Sequence, residues 1–298
     1  MHTRFFAKFS LMLVAVFLFT ALSFSTVGAQ SYSGHRMVLG LAEIITDPNS
    51  GEEGRTIWLR KDLGNGQLDH DYVYNDPRRA ELNGGYAGIT YGVKTGFPSA
   101  DANLVNEIYW MYESIRIWDR LPCSNLTLRE NNVNDTSPGL VANFFETGAI
   151  DISLVEADLT QVGFLGVGAM FPPGTSTLGV TYTLFWEDEA GNLTDIDNNG
   201  KIDVALREIY YNDQYNWADN GVEGVVGGVR YFDFPSVAIH EVGHGFSSDH
   251  FGNIGTKNGV LVARPRVVMN AIYGGTLRSL TGRDNGAHCS NWAQWPRR

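Results

Sequence analysis

The sequence predicts an α/β domain on three observations: a period-two apolar stretch, a helix-spaced apolar stretch directly after it, and a run of strand-like segments leading to a second helix. The first strand is Ile89, Tyr91 and Val93, alternating with smaller or polar residues after Gly88. The helix follows through Leu104, Ile108, Met111, Ile115 and Trp118, with Ser99 or Asp101 as N-cap and Pro122 closing its end. Further strands are expected at Leu126 to Arg129, Ile150 to Val155, Val180 to Trp186 and Ile202 to Tyr210. Asp233 and Pro235 offer an N-cap and a first-turn proline for the second helix, which runs through Val237 to Phe246. Thr281 and Asp284 stand at capping-box spacing ahead of His288, Trp292 and Trp295, announcing a C-terminal helix.

The first residues speak to compartment. Arg4 and Lys8 precede an apolar run from Leu11 to Leu22 and then Val27, Gly28 and Ala29, the pattern of a secretory signal peptide over 1–29. The run is too short for a comfortable span, and no later stretch reaches the roughly 20 apolar residues that a spanning helix needs. A secreted protein, extracellular or periplasmic and free of the membrane after cleavage, is expected. Cleavage after Ala29 leaves 269 residues, enough for one main domain at 86–298 behind an N-terminal extension or pro-segment at 30–85.

That extension is rich in Gly, Asp and Asn, with apolar pieces at Met37 to Ile45 and Thr56 to Leu59. Its Arg78-Arg79 pair reads as a solvated loop, with a processing site as the alternative. Without the leader, 20 basic residues face 33 acidic ones, a net charge near −13. Such a balance argues against nucleic acid or anionic membrane as partner and suits divalent cations. Cys123 and Cys289 are the two cysteines; they form one bridge in an oxidising compartment, or stay as two buried thiols. No internal repeat or low-complexity tract is present.

The chemistry concentrates in His240-Glu241-Val242-Gly243-His244-Gly245-Phe246-Ser247-Ser248-Asp249-His250. On a helix, residues 240 and 244 lie one turn apart on one face, so two imidazoles converge on one ion. A catalytic zinc needs a third protein ligand and one open position, and His250 supplies that ligand if the chain breaks its helix at Gly245 to Ser248. Glu241, beside the ligands, is placed to act as general base on a zinc-activated water and then to hand the proton to the leaving amine.

His-Glu-x-x-His with a further histidine ten residues after the first resembles the metzincin zinc peptidases. The surroundings are most similar to the matrixin, or matrix-metalloprotease, branch. Gly88 to Trp118 resembles the opening of that catalytic domain, Ile209-Tyr-Tyr-Asn-Asp followed by Trp217 resembles the stretch ahead of the zinc helix, and Val267-Val-Met-Asn resembles the methionine turn. The likeness covers roughly residues 86 to 284 and is strongest around the zinc motif. It implies a twisted mixed sheet, a zinc-bearing helix below it, a C-terminal helix closing the lower part, and Met269 as a packing floor beneath the metal. Ser247 stands where the family signature has glycine. No Pro-Arg-Cys-Gly switch is present, and Ala271 occupies the position of a metal-touching tyrosine in some members, leaving Tyr273 as a candidate oxyanion partner or a packing residue.

A second cation site is suggested by Asp195, Asp197, Asn199 and Asp203, whose oxygens precede or flank Gly200 as in the first half of a calcium loop. The twelfth position is Leu206, so the bidentate closing ligand is missing, and an Asn-Gly turn between two strands is the other reading. Structural calcium among matrixins favours the cation. The sequence thus leads to a secreted, monomeric zinc endopeptidase acting on protein or peptide substrates; the rival is a secreted binding or adhesion protein whose zinc site is structural or catalytically dead.

Overall fold

The computed structural model describes residues 34–58, 70–80 and 82–296; the expected leader lies outside them. In chain order the elements are strands β1 (His35–Thr46), β2 (Thr56–Trp58) and β3 (His70–Asp71), and the short helix α1 (Pro77–Ala80). Then follow β4 (Ile89–Val93), α2 (Glu107–Asp119), β5 (Leu128–Glu130), α3 (Leu140–Thr147), β6 (Leu159–Leu165), β7 (Thr177–Asp188) and β8 (Ile202–Asn212). The chain continues through β9 (Asn216–Ala218), β10 (Gly224–Val226), β11 (Val229–Asp233), α4 (Phe234–Gly245), β12 (Asn253–Lys257), β13 (Val260–Arg264) and α5 (Gly282–Trp292).

A mixed sheet in the order β2-β1-β7-β8-β6-β4-β5 organises them, with β3 pairing to β8 off this path. From β5 to β8 neighbouring strands run parallel, and from β8 to β2 they alternate. Every residue of β8 is buried, the mark of a strand covered on both faces. On one face lie α2 and α4, with Met111, Ile115, Trp118, Val237 and Val242 against Leu159 and Ile209. On the other, Leu140, Val141 and Ala142 of α3 join Met37, Val180, Leu184 and Trp186. The fold is mixed α/β, and no helix among the described residues is long and apolar enough to cross a membrane.

Several expectations are corrected. Ile150 to Val155 is a 3-10 turn at Ile152–Leu154 and not a strand, because Asp151 takes the Ser153 amide at 3.0 Å and closes the backbone locally. The strand expected at Leu126 to Arg129 begins two residues later, at Leu128. Neither Ser99 nor Asp101 caps α2: Asp101 accepts from the Trp217 amide, and Asp219 takes the Val105 and Asn106 amides from a distant loop. Arg78 and Arg79 are not a solvated loop. Both are buried, Arg78 paired with Asp76 and Asp203 and Arg79 with Asp158.

The segment 35–46, expected within the N-terminal extension, is a strand of the main sheet, paired along its length with β7. Gly40 permits the close pass, since a side chain there would strike the Phe185 ring, and the register shifts beside it, between Leu39 and Leu41.

Cys123, just past α2, and Cys289, in α5, are joined with Cα atoms 5.6 Å apart across 166 residues. Opening so long a loop costs about 2–5 kcal/mol. The Cys123→Ser, Cys289→Ser double variant is therefore expected to unfold at lower denaturant, with intact-mass alkylation of the wild type finding no thiol before reduction; two labelled thiols would refute the bridge.

Candidate metal centre

Helix α4 begins on Asp233, whose carboxylate takes the Ser236 amide at 3.1 Å, with Pro235 in the first turn. It ends on Gly245. The exit is a Schellman closure: the Ser247 amide bonds the His244 carbonyl at 2.9 Å, and the Ser248 amide bonds that of Gly243 at 3.0 Å. This requires a left-handed residue at 247, and Ser247 adopts it with φ 60°. A serine there costs about 1 kcal/mol relative to glycine, but neighbours hold it in place. Arg207 donates to the Ser247 hydroxyl at 3.0 Å and to the Gly245 carbonyl at 2.9 Å, and Asn291 donates to the Ser247 carbonyl at 2.7 Å. The turned chain then carries His250 back over the helix.

The three imidazoles meet. His244 Nε2 lies 3.0 Å from His240 Nε2 and 3.1 Å from His250 Nε2. Tetrahedral coordination at a Zn–N distance near 2.05 Å asks for about 3.3 Å between nitrogens, so the spacing is close to what a small tetrahedral metal ion such as zinc requires. The opposite nitrogens are spoken for: His240 Nδ1 donates to the Val268 carbonyl and His244 Nδ1 to that of Ser248, both at 2.7 Å. Those bonds fix the tautomer of both rings and leave their Nε2 lone pairs facing each other. Facing lone pairs repel, so the donor set fits a cation. Burial, the main cause, pushes His240 down to about 3 and His244 to about 4, and holds His250 well below the usual range; the three imidazoles are neutral.

The turn beneath them comes from residues 267–269. Asp284 caps α5 through Thr281 and also takes the Val268 and Met269 amides at 3.2 Å, which locks the carbonyl that orients His240. Met269 is buried against Gly243, where any added Cβ would collide with its sulfur and with Trp118. Tyr273 is a packing residue: its hydroxyl accepts from the Asp233 amide at 2.9 Å and donates to Glu223 at 2.8 Å.

Glu241 is buried beside the trio. Its Oε2 accepts from Thr181 Oγ1 at 2.6 Å, while Oε1 has no partner. Burial, with a smaller push from Glu43, raises its carboxyl well above the ordinary range. A Cβ on Gly179 would come within 2.9 Å of Oε1, so glycine there leaves room beside the free oxygen.

Sequence reading missed Glu43. Its carboxyl group sits on β1 with Oε1 2.9 Å from His244 Nδ1, wholly buried and with neither oxygen hydrogen-bonded among the described residues. Burial pushes it up to about 8 against the opposing pull of Arg207. A lone acid in an apolar run, Ile44 and Ile45 following it, was the available signal.

In the acidic loop, Asp195, Asp197 and Asp203 bring oxygens within 4.8 Å of one another. Asp195 accepts from the Asn199 and Gly200 amides, and Asp203 Oδ2 from Arg78, Thr194 and Ile196. Asn199 turns its amide nitrogen toward Asp197 and Asp71, and its oxygen takes the Lys201 amide; it offers the loop a donor where the sequence suggested a ligand oxygen. Asp203 Oδ1 is buried without a partner.

Compared with known proteins, the chain matches no family model and no curated protein.

The carboxylates give the metal-free protein a defined pH response. Above about pH 7.5 the imidazoles of the unfolded chain have lost most of their protons, as the buried ones have in the folded state, and so contribute little. Glu43 holds a proton in the folded state that it releases on unfolding, so its stabilising contribution is lost as pH rises through about 8, and burial pushes Glu241 in the same direction. The slope is about 1.4 kcal/mol per pH unit for each proton retained. Denaturant midpoints of the metal-free chain should fall from about pH 7.5 to 8.5, and fall less in Glu43→Gln; equal falls would contradict the assignment.

Proposed function

We propose that this chain is a secreted zinc endopeptidase of metzincin type, matrixin-like in its site, with His240, His244 and His250 as metal ligands and Glu241 as general base. One observation carries the reading: three neutral imidazoles aim unpaired nitrogens at a common point, and a buried carboxylate with one unpartnered oxygen stands beside them. The mixed sheet over α4, the buried Met269 and the Cys123–Cys289 bridge support it.

Zinc, when bound, supplies a Lewis acid that polarises the substrate carbonyl and lowers the pKa of water. Thr181 pins Oε2 of Glu241, which leaves Oε1 to take a proton as water oxygen bonds to the carbonyl carbon. The same oxygen then gives that proton to the departing amine nitrogen as the C–N bond breaks. Substrates are proteins or peptides, cleaved by the protein as a monomer.

Complete burial of His240, Glu241 and His244 favours one other reading, a closed metal site in a binding or adhesion protein. Casein digestion separates the two. The wild type should cleave in a chelator-sensitive way, and Glu241→Ala should keep zinc while losing about 10²–10⁴-fold in turnover. A metal-loaded Glu241→Ala variant that cleaves at the wild-type rate would remove Glu241 from the chemistry, and a wild type that binds zinc but cleaves nothing would favour the closed site.

We also propose calcium at Asp195, Asp197 and Asp203, where the buried Asp203 Oδ1 lacks a partner among the described residues and Arg78 pairs with Oδ2. A cation bound only by the folded chain adds about 2.7 kcal/mol at a hundredfold excess over Kd. Melting temperature should rise with calcium, and much less in Asp197→Ala; an equal rise in both would place the ion elsewhere.

A further inference from the structure

The sheet brings a second carboxylate to the same centre from a distant part of the chain. In the β1–β7 register Glu43 lies directly opposite Thr181, and Thr181 is the residue whose hydroxyl pins Glu241. One rung of the ladder therefore sets both acids. On its other edge Glu43 is opposite Thr56 of β2, so its strand is held from both sides. A slip of one residue would turn Glu43 to the opposite face of the sheet, so its place at α4 is fixed by the whole length of β1.

We infer that Glu43 is a positioning residue of the metal centre: it braces His244 from the side away from the metal and supplies negative charge that a bound dication draws on. The inference rests on the zinc reading above. His244 Nδ1–H is donated to the Ser248 carbonyl at 2.7 Å, and Glu43 Oε1 stands 2.9 Å from the same nitrogen without accepting a hydrogen bond from it. When Nε2 gives its lone pair to a dication, the ring becomes more positive and its N–H more acidic, and a carboxylate at this distance stabilises that change. Three neutral ligands leave the ion's double charge intact; Glu241 and Glu43 together offset it in a water-poor interior. A carboxylate that receives no hydrogen bond is poorly accommodated in such an interior without a cation.

Arg207 is the competing explanation. It lies in the same buried region, but its donors go to Thr183, Gly245 and Ser247, with a contact to His70 Nδ1 at 3.3 Å, and Glu43 accepts none of them.

The test compares the full-length wild type with Glu43→Gln and Glu43→Asp by three readouts: zinc Kd in competition with a chromophoric chelator, the visible absorption of the cobalt-loaded protein, and the melting temperature without metal. Glu43→Gln should weaken zinc by about 10–100-fold and shift the cobalt bands. Its metal-free melting temperature should stay level or rise, because a neutral amide replaces an unpartnered acid. Glu43→Asp, which keeps the charge but withdraws it by one methylene, should fall between the two and serves if the glutamine variant does not fold. Unchanged zinc Kd and cobalt spectrum overturn the inference. So does a drop in metal-free stability with zinc affinity intact, which would make Glu43 the partner of Arg207. If zinc binds the wild type as tightly as it binds His240→Ala, the zinc reading itself fails and this inference falls with it. Zinc lost in His240→Ala but undisturbed by both Glu43 variants refutes the role of Glu43 alone.

Discussion

Two carbonyl groups govern this molecule. Val268 and Ser248 each hold an imidazole N–H at 2.7 Å, and so decide which nitrogen of His240 and His244 carries a lone pair and where it points. Each carbonyl is held by something further away: Val268 by the grip of Asp284 on its turn, Ser248 by the helix closure at Ser247 and by Arg207 from the sheet. A rotation of either backbone group would free a ring to flip. The surrounding fold can be understood as the means of keeping these two oxygens still in a region from which water is excluded.

The same exclusion of water sets the electrostatics. Imidazoles are driven toward neutrality and carboxyls toward protonation, in both cases because the charged forms lose hydration on burial. Neutral donors beside latent negative charges form a set that a cation completes. Hydrogen bonds from Thr181 to Glu241, and the absence of any to Glu43, show how unevenly the backbone and side chains provide for the two acids.

Much of this was legible in sequence where the code is local. The helix of His240, its N-cap at Asp233, the break after Gly245 and the capping box of Thr281 and Asp284 all depend on residues within one or two turns. The alternating strand at Ile89 and the long strands β7 and β8 were readable from apolar content. What failed was settled at long range. The amides of Val105 and Asn106 ahead of α2 are held by Asp219, more than a hundred residues away, and Arg78 is buried between its neighbour Asp76 and the distant Asp203. Strand β1 lacks alternation because both its faces are covered, so Met37 to Ile45 looked like an apolar scrap in an extension and Glu43 like an incidental charge. Ser247 shows the reverse case: a departure from the glycine pattern that left-handed geometry, supported by three flanking hydrogen bonds, absorbs.

Asp284 has a consequence for how the chain matures. One carboxylate closes the start of α5 and also secures the turn that orients His240, so the arrangement around His240 cannot be finished until the chain has been made as far as α5 and that helix has docked. A copy that stopped short of Asp284 would leave the Val268 and Met269 amides without their acceptor and the His240 ring without a fixed tautomer. Molecules truncated before α5 would then lack the fixed arrangement in which the three imidazoles meet.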